Sequence, residues 1–273
     1  AAADREGIRP DSINVASIDA ETGRTIVFGL PRNLVGVPFP SSSPLAKLYP
    51  DGFRCDEECM LNGVYTLGQE HAALYPGREA GLAAMKEAVA ETLGVELNYY
   101  AMVALAGFQN LVDATGGISL DIGKRVPIGG VGSEIYGWIE PGTNVHLDGY
   151  HALWFARSRA DSDDYERMTR QKCVMAAMAK QLDPGTVAAR FVNLAEAGSD
   201  IARTDVGTDQ LPELVDLAFR GKALPIESVN FAPPLIRTSS PDFTLIRRTV
   251  TETIEASEAE DASATSMSSS TSS

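Results

Sequence analysis

The sequence predicts an α/β layered fold, and three observations predict it. Short segments with period-two alternation of apolar residues recur along the chain. Segments with apolar residues three and four apart lie between them, and glycines mark several of the boundaries. Strands alternating with helices in this way pack as layers around a sheet.

Taken in order, residues 13–19 alternate as a strand, 21–24 read as a turn, and 25–30 as a second strand, so the pair predicts a hairpin. Residues 35–54 are rich in Pro and Ser and predict an irregular excursion. Helices are expected over 59–75 and 79–93; the second carries Leu82, Met85, Val89 and Leu93 on one face and stops at Gly94. A strand over 99–105, a short helix over 107–115 ended by Gly116-Gly117, and a strand over 118–122 follow. The glycine-rich stretch 123–146 reads as a loop or small hairpin. Residues 148–156 begin helically, and Trp154-Phe155-Ala156 reads as strand. Helices over 163–182, 186–197 and 208–219, a strand over 225–231 and a helix over 241–254 complete the folded part, 1–254. Residues 255–273 are Ser, Thr, Ala and Glu with almost no large apolar side chain, and are expected as a disordered tail.

The 273 residues carry a formal net charge of −14, which argues against nucleic acid as a partner. Any anion site must therefore be a local basic cluster. No run of eighteen apolar residues occurs, and the opening Ala1-Ala2-Ala3-Asp4 is not a signal peptide. Of the three cysteines, Cys55 and Cys59 lack the second pair that a zinc ribbon needs, which leaves buried thiols or a disulfide, with a metal site as the remaining alternative.

Two stretches concentrate arginine. Arg9-Pro10-Asp11-Ser12 enters the first strand, and Arg32 follows the second. The run Arg157 to Gln171 holds Arg157, Arg159, Arg167 and Arg170. Arg157 and Arg159 share a side if their stretch is extended. Arg167, Arg170 and Gln171 share a helix face near the helix N-terminus, where the dipole and free N–H groups favour an anion. Guanidinium groups grip phosphate oxygens two donors at a time. The same spacing also suits a solvated salt-bridge network. Asp11 is either a turn residue or a hard oxygen ligand suited to Mg²⁺ on phosphates. His71, His146 and His151 are scattered, and neither a Walker loop nor a nucleophile elbow occurs.

On these residues the chain resembles the LytR-CpsA-Psr family of bacterial envelope proteins, particularly its actinobacterial members. The stretches that carry the resemblance are Arg9-Pro10-Asp11-Ser12, Leu30-Pro31-Arg32-Asn33-Leu34, residues 108–117, Leu147-Asp148-Gly149-Tyr150-His151-Ala152-Leu153, and the run from Arg157 to Gln171. They stand in the family's order across residues 5–182.

The resemblance implies a three-layer α/β/α fold with a central mixed sheet, a hydrophobic pocket for a polyprenyl tail, and arginines that hold a pyrophosphate with Mg²⁺ (or Mn²⁺). It implies a phosphotransferase that moves a glycopolymer from a polyprenyl-pyrophosphate carrier to peptidoglycan or a surface protein, leaving a phosphodiester link. It also implies an extracytoplasmic domain anchored to the membrane by an N-terminal helix. Rivals with the same site are a pyrophosphatase and a non-catalytic lipid-glycan binder. Residue by residue, Asp11 is the metal ligand. Arg32, Arg157 and Arg159 are catalytic. Arg9, Arg32, Arg157, Arg159, Arg167 and Gln171 bind the pyrophosphate. The chain departs from the family at Met60-Leu61-Asn62-Gly63, where a lysine is usual, and its early Gly-x-Asp strand is not contained cleanly, with Asp4 nearest. Because the resemblance puts residue 60 and Gln171 on one site, it implies a disulfide between Cys173 and Cys55 or Cys59, with Cys55–Cys59 as the competing bond.

Overall fold

The computed structural model describes residues 9–55, 59–130, 134–160, 164–198 and 201–270. Asp4 lies outside the described residues. Along the chain the elements are β1 (Ile13–Ile18), β2 (Thr25–Leu30), α1 (Val64–Glu70), α2 (Ala80–Leu93), β3 (Ala101–Val103), α3 (Leu105–Ala114), β4 (Ile118–Ile122), β5 (Val126–Gly129), β6 (Ile135–Ile139) and β7 (Gly142–Leu147). Then come α4 (Gly149–Arg157), α5 (Asp164–Gln181), α6 (Pro184–Ala197), β8 (Ala202–Thr204), α7 (Leu211–Gly221), β9 (Glu227–Asn230) and α8 (Phe243–Ser270). The chain is α/β, as predicted, and it divides into two compact units.

One unit holds most of residues 5–98 together with 227–273. Its sheet has the order β1-β2-β9. A connection of a few residues between neighbouring strands forces β1 and β2 to run antiparallel, and β9 joins β2 in parallel, with Phe28 opposite Val229, so the sheet is mixed. Phe28 and Phe231 stack at 6.3 Å and are buried with Leu34, Leu61, Tyr65 and Ile246. The helix α2 starts where the Glu79 carboxylate accepts from the Leu82 N–H, and ends at Gly94 in the left-handed conformation, φ 72°. Arg247 of α8 ties to α2 by donating to the Glu91 carbonyl at 2.9 Å and pairing with its carboxylate at 2.8 Å.

Two expectations for this unit are corrected. Residues 255–270, expected as part of a disordered tail, continue α8. Glu255, Ala256, Glu258, Ala259 and Glu260 include strong helix formers, and extending an existing helix needs no new nucleus. The disulfide joins Cys55 to Cys59, with their Cα atoms 5.2 Å apart, and Cys173 is an exposed free thiol on α5. The anticipated bridge to Cys173 is therefore absent. Cysteines four apart can be bridged without any distant segment having to arrive.

The other unit holds most of residues 99–226. Its strands pair antiparallel as β3-β8, β4-β7 and β5-β6, so the glycine-rich stretch holds the β5-β6 pair and ends in β7, which pairs instead with β4. Helices α3, α4 and α5 cover a core that includes Val112, Ile118, Ile128, Leu147, Phe155 and Val174. The side-chain amide of Gln181, at the end of α5, accepts from the Ser119 N–H at 2.8 Å and donates to the Ser119 carbonyl. Among the described residues no helix is long and apolar enough to cross a membrane.

Candidate functional site

The first arginine group is built by the β1-β2 pair. Because the strands are antiparallel, the entry to β1 and the exit from β2 lie at the same end of the sheet. This brings Asp11 to Arg32, whose Nη1 donates to the Asp11 carboxylate at 2.6 Å. Arg32 is mostly covered, whereas Asp11 is 59% exposed. The segment around Asn62 is tied to the same place: the Asn62 N–H donates to the Arg32 carbonyl at 3.0 Å, and the Leu61 N–H to the Leu34 carbonyl at 2.8 Å. Asn62 is buried, and its side-chain oxygen has no hydrogen-bond partner among the described residues. The same is true of the side-chain oxygen of Asn33 and of Arg9 Nε. Buried polar atoms are almost always paired, so such atoms gathered around one strand end mark a place where a polar ligand fits. Asn33 and Asn62 carry no role in the sequence-based expectation. The signal that could have found Asn62 is a lone amide in the apolar setting of Leu61, Gly63 and Val64.

Two oxygens of this group are of the kind a divalent cation would use. Among the described residues no three His, Cys, Asp or Glu side chains gather to make a metal cage. Mg²⁺ seldom uses one; it takes one or two protein oxygens and completes its shell with water and substrate phosphates. The exposed Asp11 carboxylate and the Asn62 side-chain oxygen are donors of that hard kind.

The second group is built by α4 and α5. The Asp148 carboxylate caps α4 by accepting the His151 N–H at 2.8 Å, and this backbone bond, with the His151 ring beside it, holds the carboxyl below its usual range. Gly149 lies so close to α3 that an added Cβ would meet the Gln109 carbonyl at 2.2 Å, and its N–H donates to Asp113 at 2.7 Å. Cap and glycine together seat α4, which runs helically to Arg157. The strand expected at Trp154-Phe155-Ala156 is thus corrected, and Arg157 closes a helix rather than sharing an extended stretch with Arg159. Arg157 is exposed, with its guanidinium 4.9 Å over the Trp154 ring. The intervening Ser158 is buried and donates its hydroxyl to the Pro127 carbonyl at 2.7 Å.

Arg170 departs from the expectation of a shared anion-binding face. It is buried, its Nε donates to the Phe155 carbonyl at 2.8 Å, and its Nη2 donates to the Ser158 carbonyl. It therefore holds the backbone on which Arg157 and Arg159 are mounted. Arg167 is buried in the first turn of α5, Gln171 is half-buried one turn on, and Arg159 is half-buried between α4 and α5. The two arginine groups belong to different units: Arg9, Asp11 and Arg32 to one, Arg157, Arg159, Arg167 and Gln171 to the other.

The arginines singled out in the sequence thus stand at strand and helix ends of an α/β protein. The LytR_cpsA_psr family model matches residues 3–233, and the chain belongs to that family. It is 32% identical over 127 residues to the cell wall biosynthesis protein LcpA of Corynebacterium glutamicum, a match that covers 44% of this chain and 23% of that protein. It is 27% identical over 206 residues to the polyisoprenyl-teichoic acid–peptidoglycan teichoic acid transferase TagU of Oceanobacillus iheyensis, covering 74% of this chain and 53% of that one. The chain thus spans about half or less of the length of these relatives. The crystal structure of B. subtilis TagV has the same fold, with a TM-score of 0.61, 20% identity and 91% of each chain covered.

Proposed function

We propose that this chain is a phosphotransferase that moves a glycopolymer from a polyprenyl-pyrophosphate carrier to a cell-wall acceptor at the outer face of the membrane. The observation that carries the reading is the family match over residues 3–233, with the family's arginine motifs mounted on strand and helix ends. The names of the relatives point the same way: one serves cell wall biosynthesis, and the other transfers teichoic acid to peptidoglycan.

In the reaction an acceptor hydroxyl attacks the sugar-proximal phosphorus. The new O–P bond forms as the P–O–P bridge breaks, polyprenyl phosphate leaves, and the hydroxyl proton passes to solvent. The family's pyrophosphate-binding positions fall at Arg9 and Arg32 in one unit and at Arg157, Arg159, Arg167 and Gln171 in the other, and the role assigned to their guanidinium groups is to stabilise the charge that grows on the bridging oxygen. Asp11 would hold a Mg²⁺ or Mn²⁺ ion, which supplies further positive charge at the phosphates.

The test uses a polyprenyl-pyrophosphate-linked sugar with Mg²⁺, with and without peptidoglycan fragments. Mass spectrometry reads polyprenyl phosphate release and the sugar–phosphate–acceptor product. Acceptor-dependent product is expected, and release to water alone would leave a pyrophosphatase. No release under either condition would reduce the chain to a lipid-glycan binder. Activity is further expected to vanish in excess chelator and in Asp11→Ala; undiminished turnover in chelator would remove the metal from the mechanism.

A further inference from the structure

The α4–β6 surface beside Arg157 carries aromatic side chains that the pyrophosphate chemistry does not use. We infer that Tyr136, Tyr150 and Trp154 form a stacking platform for the first sugar rings of the carrier-linked glycan, and this rests on the reading of Arg157 as a pyrophosphate ligand. Trp154 and Tyr150 lie one turn apart on α4, with their rings 6.4 Å apart. Tyr136 of β6 meets Trp154 edge-on at 6.0 Å, with the two ring planes at 90°. Tyr136 is 63% exposed and Tyr150 is 41% exposed. All of these residues belong to one unit.

Three features select a sugar as the occupant. The first is continuity: Arg157 stacks on Trp154, so the guanidinium assigned to the pyrophosphate and the indole are in contact. The donor's first sugar is bonded to that same pyrophosphate and has to lie beside it.

The second is chemistry. The C–H face of a pyranose is weakly electropositive and stacks on the negative face of an aromatic ring. The phenol hydroxyls at the ring tips can meet the sugar hydroxyls. The third is shape. A polyprenyl chain gains most in a concave pocket that removes it from water, whereas the Tyr136 and Tyr150 rings stand in solvent beside the half-buried Trp154. The overall charge of −14 also disfavours a nucleic acid on the same rings.

The test compares binding of polyprenyl pyrophosphate bearing one hexosamine with binding of bare polyprenyl pyrophosphate, by calorimetry on the full chain in Mg²⁺ buffer. Tyr136→Ala and Tyr150→Ala are each expected to weaken the sugar-bearing ligand by about tenfold, the order for one lost stacked ring. Binding of the bare ligand should stay unchanged, and Tyr136→Phe should retain most of the affinity. Equal losses for both ligands would assign the rings to lipid or phosphate and overturn the inference. So would weakening of a peptidoglycan fragment in place of the donor, or of vesicle binding alone. If the unaltered chain binds neither lipid, the reading of the pyrophosphate site fails as well. If it binds both equally, only the platform fails.

Discussion

Arg170 commits its guanidinium to the Phe155 and Ser158 carbonyls, whereas Arg157 presents its own to solvent over Trp154. The two arginines look alike in the sequence and differ in what substitution should do. Arg159→Ala and Arg32→Ala are expected to lower turnover by ~10²-fold or more with little change in stability, since each removes a charge that acts in the transition state. Arg170→Ala is expected to cost about 1–3 kcal/mol of stability by leaving buried carbonyls without their charged donor. Urea unfolding followed by tryptophan fluorescence, run beside the turnover assay, separates the two classes. A stable Arg170→Ala protein with lost activity would return Arg170 to the anion-binding set. The arginine runs were legible because basic residues at element ends stand out from an acidic chain. Arg170 was not, because helical spacing places it with Arg167 and Gln171, and only the packing of α4 on α5 says which carbonyls it meets.

At the scale of elements, the end of α4 was the segment least legible from local preference. Trp154-Phe155-Ala156 reads as strand because bulky aromatics favour pleated surfaces. The start of the helix decides the matter: Asp148 caps it, and Gly149 lets it dock against α3. The helix then carries Arg157 out to its last turn. Asp148→Ala is therefore expected to destabilise this unit by about 1 kcal/mol at neutral pH. The lowered carboxyl adds a sign: the folded form prefers the ionised Asp148, so its contribution is complete above the usual carboxylate range. It fades as pH falls through the lowered folded value. Chemical denaturation of the wild type and Asp148→Ala should give stabilities that differ at pH 7 and converge in strong acid; a difference that grew on acidification would contradict the capping role. β1, β2, β4 and α2 lie at or within one residue of their expected bounds, whereas α1 and β3 are shorter than expected and β8 was not anticipated. Helix α8 overran its predicted end because a composition unfit for a core can still be fit for a helix.

At the scale of the whole molecule, the sequence motifs were sufficient to identify the family, and the cysteine pairing was not legible. Motif order reports common descent. A bridge instead depends on which Cα atoms approach within bonding distance, and here those belong to a local pair. Peptide mapping without reductant is expected to return the Cys55–Cys59 link and an alkylatable Cys173. The Gln181 amide has a consequence for the behaviour of the chain among its own copies. By offering an acceptor to the Ser119 N–H and a donor to its carbonyl, it stands where an added strand would otherwise pair with β4. A strand with free main-chain groups along its edge is a template for edge-to-edge aggregation, and one well-placed amide can blunt it. Gln181→Ala should therefore leave the fold intact by circular dichroism and yet raise light scattering at high protein concentration. A variant as monodisperse as the parent would show that β4 is guarded by something other than this amide.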